Sequence, residues 1–378
     1  MQDEIDLRAL IRTHAALLFA GVTTFTLMGA GQSLYGPALP AFAREFGLTV
    51  GQAGWLVSAL WIGSATGVAV MFLLGRHVTP RHALGVMVIG AGIIAAGPGW
   101  IGTVIGSIIF GTGYGISTVV FNPRVLQAFG AKGPSMVSLL NAMFAVGAIV
   151  APLGFVAIGS NPHLAFAAVA GICALIWVFA GTSGREAEVG TGRATQPYRF
   201  RPLILIFGTV CIGVEACLIG LGPTALIRAG ATEVEAAQAL SAFFVAFLIA
   251  RSVLVFTAHL IPAFTIYTGA MVGAAAAALA ATILPAVPFF IVMGAFSGLF
   301  FPGFFVTASR LMGDDPKVTP TIIAAGLVGG ISSPVILGML VDDMGDRGFF
   351  QIIAALTLLT AGAALVLLRR LNRETRAA

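Results

Sequence analysis

Charge is scarce in this chain. Only 9% of its 378 residues are Asp, Glu, Lys or Arg, against 58% hydrophobic residues, and the mean hydropathy is +1.00. A soluble domain carries about 25% charged residues, so an ordinary soluble enzyme or binding module is excluded. Cysteine is nearly absent too: Cys173, Cys211 and Cys217 all lie in apolar runs, where they act as small hydrophobes, and their odd number argues against a disulfide framework. Catalytic motifs are missing. There is no H-E-x-x-H, no G-x-S-x-G and no G-x-x-x-x-G-K-[ST], and the five His residues, at 14, 77, 82, 163 and 259, fall at run ends or in loops. The chain is therefore not expected to be an enzyme, to hold a cofactor or metal, or to be driven directly by ATP.

Other absences narrow the class further. The apolar runs do not alternate with period two, which argues against an outer-membrane barrel. Although the pI is 9.6 and the net charge +5, the basic residues are scattered over loops and tails without interleaved aromatics, so no nucleic-acid groove is expected. The N-terminus sets Asp3, Glu4 and Asp6 against Arg8 and Arg12, unlike the positive leader of a secretory signal, and the first apolar run is read as retained.

What is present is a series of apolar runs long enough to cross a bilayer core of about 30 Å. Twelve helical spans are expected, at 14–38, 51–75, 83–97, 101–121, 135–157, 162–182, 202–227, 235–258, 260–282, 286–309, 319–341 and 348–368. The loops on the side of the termini then carry sixteen Lys and Arg, while the opposite side has only Arg44, Arg228 and Arg347. By the positive-inside rule this makes both termini cytoplasmic, in an inner membrane.

The longest polar stretch, 183–201, has the Gly, Pro and charge of a linker and splits the chain into a six-helix half at 1–182 and another at 202–378. An internal repeat points to the same division. Val146 to Pro152 (VGAIVAP) matches Val328 to Pro334 (VGGISSP) at an offset of 182 positions, and Gly111, Gly115 and Gly130 find Gly294, Gly298 and Gly313 at 183. Spans 5 and 11, and 4 and 10, thus correspond, as parallel repeats require. The pairs Gly63/Gly67, Gly111/Gly115, Gly294/Gly298 and Gly326/Gly330 are small-xxx-small spacings that let helices approach closely.

One acidic residue breaks the charge pattern. Fourteen of the fifteen lie in tails or polar breaks, but Glu215, in FGTVCIGVEACLI (207–219), sits 13 positions into the seventh span, roughly 20 Å deep at 1.5 Å per residue. An ionisable group at that depth costs about 2.5 kcal/mol or more by insertion scales and marks a candidate functional site facing a cavity or partner. The bland alternative is a neutral carboxyl bonded to a neighbouring helix. Arg251 is the only base within a span, 16 positions into the eighth and in its cytoplasmic third. It is read as a snorkelling residue or, as the family resemblance below implies, a gate brace, ahead of a solute contact, and as too deep to pair with Glu215 directly.

The twelve spans, the central linker and the repeat together resemble the major facilitator superfamily over the whole chain. Within it, LPAFAREFGLTVGQAGWLVSALWIG (39–63), FNPRVLQAFG (121–130) with SLLNAMFAVGAIVAP (138–152), IGVEACLIG (212–220), FPGFFVTASRLMG (301–313) and VGGISSPVILGMLVDDMG (328–345) resemble the fucose-permease-like sugar:proton symporters. The resemblance implies an all-α membrane protein of twelve transmembrane helices in two six-helix pseudo-symmetric halves. It further implies a monomeric secondary transporter in a lipid bilayer whose partners are a small solute, sugar or polyol, and a proton. The two acids that the resembled pattern places in spans 1 and 4 are Gly36 and Thr118 here, which leaves Glu215 as the candidate for proton coupling. The loop between spans 2 and 3, GRHVTPR (75–81), lacks the superfamily's Asp.

Candidate solute-binding residues are Gln32, Tyr35, Trp61, Tyr114, Asn122 and Asn141, whose amides and amphipathic rings suit a hydroxylated solute. Each also has a packing or interhelical role open to it. Two other functions fit the sequence: a proton-antiport exporter of amphipathic compounds, suggested by the Gly-rich run before Pro152, and a non-transporting membrane scaffold or sensor.

Overall fold

In a computed structural model the described residues are 7–74, 77–180, 198–313, 315 and 317–377. They are helical almost throughout, without strands. After a short α1 (Leu7–Thr13) come twelve helices: α2 (Ala15–Phe46), α3 (Val50–Leu74), α4 (Pro80–Ala96), α5 (Trp100–Phe129), α6 (Gly133–Ala157), α7 (Pro162–Phe179), α8 (Pro202–Arg228), α9 (Glu233–Thr257), α10 (Ala263–Ile283), α11 (Ala286–Met312), α12 (Val318–Asp342) and α13 (Gly348–Ala377). Ten are long and apolar enough to cross a membrane; α4 and α7 are shorter apolar helices.

Several helices start where the sequence supplies a start signal. Thr232 accepts from the Glu235 N–H while the Glu235 carboxylate takes the Thr232 N–H at 2.8 Å, a capping box that opens α9. Asn161 caps α7 through the Leu164 N–H at 3.0 Å. Thr79 opens α4 with His82 in place of the usual acid: the Thr79 N–H donates to His82 Nδ1 at 3.1 Å. Proline stands in the first turn of α4, α6, α7 and α8, where its missing N–H costs nothing.

Three helices outrun their apolar spans, α13 by running past 368 to Ala377. α2 continues through Pro37 and Pro40 to Phe46, and α5 through Pro123 to Phe129. Hydropathy marks where lipid ends, whereas the helices continue for about two more turns past it. The linker expected at 183–201 lies outside the described residues up to 197.

Two compact units emerge from the packing: Met1–Leu34 with Ala59–Gly190, and Tyr35–Ser58 with Thr191–Ala378. The division runs through α2 and α3, whose ends nearest their connecting loop belong to the second unit.

The repeat legible in the sequence is also a repeat of packing. In the first unit α4 packs on α5 and α7; in the second α10 packs on α11 and α13. A Cβ on Gly111 would strike the Leu60 carbonyl and one on Gly115 the Ser64 carbonyl. In the second unit Gly294 meets the Phe243 carbonyl and Gly298 the Phe247 carbonyl. Every partner is displaced by the same 183 positions. Gly147 of α6 lies on the Thr26 carbonyl, and its repeat mate Gly329 of α12 on the Thr209 carbonyl. The glycines therefore fix helix register by backbone-to-backbone contact, and the fold is two pseudo-symmetric six-helix halves.

Candidate functional site

α8 is the helix that carries Glu215. It is apolar along its length and buries most of its faces, among them Cys211, Val214, Ala216, Cys217 and Leu218 around the acid. Glu215 itself is half-buried, and its Oε2 is fully enclosed without a hydrogen-bond partner among the described residues. A carboxyl oxygen enclosed and unbonded is expensive, because desolvation is not offset by any acceptor bond. This is not the interhelical bond of the bland reading.

Arg251 on α9 is half-buried and is the base that the sequence places within that span. Its Nε donates to the Gly298 carbonyl of α11 at 3.1 Å, and the guanidinium lies 4.3 Å over the centre of the Phe247 ring. Because side chains lean toward the helix N-terminus, Arg251 reaches back one turn along α9 to the Phe247 ring, without an ion pair to Glu215 among the described residues. The contacts that hold it are to α9 and α11.

The six candidates for solute contact fare differently. Gln32 and Tyr114 are brought together: both are buried, and the phenol donates to Gln32 Oε1 at 2.8 Å, with Phe144 edge-on to the Tyr114 ring at 6.5 Å. Tyr35 is fully buried and belongs to the other unit. Trp61 is half-buried in α3. Asn122 spends its Nδ2 on the Thr118 carbonyl at 3.2 Å, leaving a buried Oδ1 unpartnered. Asn141 is exposed and donates to Val137 one turn back at 2.9 Å.

Sequence reading passed over several groups. In the second unit the hydroxyls of Ser58, Thr224, Ser241 and Ser297 are enclosed without partners. Asp342, assigned to a loop, ends α12 and accepts the Val50 and Gly51 N–H groups at 2.9 Å each. No local motif announces any of these. A groove of about 440 Å³ between α4 and α7, where Arg81 stacks 4.5 Å from the Trp177 ring, is lined by none of the candidates. Among the described residues no group of three His, Cys, Asp or Glu could hold a metal.

A family model described as Major Facilitator Superfamily matches residues 22–324. No curated protein sequence matches the chain. Among solved structures it is similar to the nucleoside transporter NupG, at 14% identity and a TM-score of 0.76, covering 93% of this chain and 99% of that one. A D-xylose-proton symporter follows at 15% and 0.75, covering 92% and 96%. The E. coli fucose:proton symporter FucP is 18% identical with a TM-score of 0.62, covering 94% and 99%. At these identities the likeness is one of fold.

Proposed function

As the chain belongs to the Major Facilitator Superfamily, we propose that it is a proton-coupled secondary transporter of a small neutral organic solute, a sugar, polyol or nucleoside, working by alternating access. The observation that carries the coupling is Glu215 Oε2, enclosed and unbonded halfway along an apolar helix. A group that binds a proton in one state and releases it in another links the proton gradient to the solute gradient. The substrate class draws support from the transporters of nucleoside, D-xylose and fucose that share the fold.

The test is uptake of radiolabelled D-xylose, L-fucose and uridine into vesicles containing the reconstituted protein, with and without an imposed proton gradient. Accumulation of one of them above equilibrium, only with the gradient present, is the expected result. Gradient-independent equilibration of all three, or none crossing, counts against the reading.

Orientation is part of the proposal. A tag inserted at Gly190, outside the described residues, should be protected from an external label in intact cells, and one at Asp346 should react. This rests on the sixteen-to-three distribution of basic residues. Both tags reacting on one face would refute the cytoplasmic placement of the termini.

A further inference from the structure

The repeat gives Glu215 a twin. Displaced by 183 positions, Glu215 of α8 corresponds to Gln32 of α2, and Ser297 of α11 corresponds to Tyr114 of α5. In the first half the pair is closed, Tyr114 donating to Gln32 at 2.8 Å. In the second half the phenol is replaced by a serine too short to reach across. Ser297 is fully buried and its Oγ has no partner; neither has Glu215 Oε2.

The helix register agrees. A Cβ on Gly208 of α8 would meet the Phe304 ring of α11, and one on Gly222 would meet the Phe290 ring. Those two contacts define an antiparallel pairing in which 215, midway from 208 to 222, falls opposite 297, midway from 304 to 290. The bond from Arg251 to the Gly298 carbonyl brings a guanidinium to the residue next to Ser297.

We propose that Glu215 and Ser297 form a hydrogen-bonding subsite for a neutral polyhydroxylated solute, held by the C-terminal half. Two enclosed polar atoms left unbonded at facing register positions imply a missing partner, since buried polar groups are otherwise paired. The chemistry of the place defines that partner. Carboxyl and hydroxyl oxygens accept from solute hydroxyls, and the serine hydroxyl also donates. An anion would face the Glu215 carboxylate, and a cation would face Arg251. Neighbouring hydroxyls on an uncharged carbon frame meet neither objection. The twin pair in the other half already satisfies itself and has less to offer.

The inference rests on the proposed transport of a neutral solute, and its test reads the site separately from coupling. The probe is dicyclohexylcarbodiimide, which modifies protonated carboxyls at membrane depth, with labelling of the Glu215 peptide followed by mass spectrometry on the full-length protein. Wild type should label, and D-xylose, xylitol, L-fucose or uridine at millimolar concentration should slow the reaction. Ser297→Tyr, which restores the closed arrangement of the other half, should lower the labelling rate about tenfold or more. Ser297→Ala should label normally but need about tenfold more solute for protection, the worth of about one hydrogen bond to a polar group.

Wild-type labelling of a correctly eluting Ser297→Tyr protein would show that 297 does not face the acid. Unchanged protection in Ser297→Ala, or protection by none of the four solutes, would overturn the subsite, and the Ala variant decides should the Tyr variant misfold. Coupling can fail independently: shielding and protection as described, together with full accumulation by Glu215→Gln, would keep the subsite and remove the proton role.

Discussion

Glu215→Gln is expected to reduce the solute accumulation ratio in vesicles to about one, while exchange of labelled for unlabelled solute continues within about twofold of wild type. The amide keeps the shape of the acid and fixes it neutral. A symporter that cannot lose its proton still moves solute down its gradient but cannot harvest the proton gradient, because coupling needs a site whose proton affinity differs between states. Among the described residues no other is placed to substitute. The resembled span 1 and span 4 acids are Gly36 and Thr118, and Gln32, the repeat twin of Glu215, is itself an amide. Arg251 stays charged and is fixed by the Gly298 carbonyl and the Phe247 ring. Proton-driven uptake measured beside counterflow separates the outcomes. Full concentrative uptake by the Gln variant would make the carboxyl structural; loss of both uptake and counterflow would place it in binding alone.

The helices were legible in the sequence because lipid imposes one simple rule, an apolar run of sufficient length, and that rule is local. Thr79, Asn161 and Thr232 cap helices whose expected starts rested on hydropathy alone. The repeat was legible as glycines because only glycine permits the backbone contacts that Gly111, Gly115, Gly294 and Gly298 make. The acid at 215 stood out by its rarity. The polar partners were harder to see: nothing in a one-dimensional reading shows that Tyr114 satisfies Gln32 or that Ser297 satisfies nothing. Those facts depend on which faces of distant helices meet. The 183-position offset, applied to polar residues as it was to glycines, would have paired Gln32 with Glu215 and Tyr114 with Ser297. Asp342 escaped notice because the donors it binds lie 292 and 291 residues away.

That aspartate leads to the second large effect expected. Asp342 lays its carboxylate across the first turn of α3, taking the Val50 N–H on Oδ1 and the Gly51 N–H on Oδ2. Those are donors that a helix start leaves unbonded, and a negative charge there is favoured by the helix dipole by about 0.3–1 kcal/mol, more when partly buried. The approach is possible because Gly338 comes within 3.0 Å of Gly51, as measured from a Cβ built at 338. Gly54 lies on the Pro334 carbonyl in the same contact, and a side chain at either glycine would push α3 off α12. Arg228 secures the end of α12 by donating to the Val341 and Met344 carbonyls at 3.1 and 3.0 Å, and Arg44 in the last turn of α2 pairs with Glu233 in the first turn of α9. The loop-side ends of α2 and α3 are thereby fastened to the helices of the second unit.

If transport proceeds by alternating access, this fastening must open once per cycle. Asp342→Asn removes the charge and turns one acceptor into a donor facing an N–H, so the fastened state should lose about 1.4 kcal/mol, a tenfold shift in population. A cysteine placed at the buried Ala53 reads the change, since Cys173, Cys211 and Cys217 are all buried and give little background. Reaction of that cysteine with a membrane-impermeant maleimide should accelerate about tenfold in the Asn variant. Pairing it with Arg44→Gln should add to the effect, since both contacts hold the same ends. An unchanged maleimide rate in both variants would show that glycine packing alone holds α3 on α12, and that the carboxylate cap contributes nothing to the closed state.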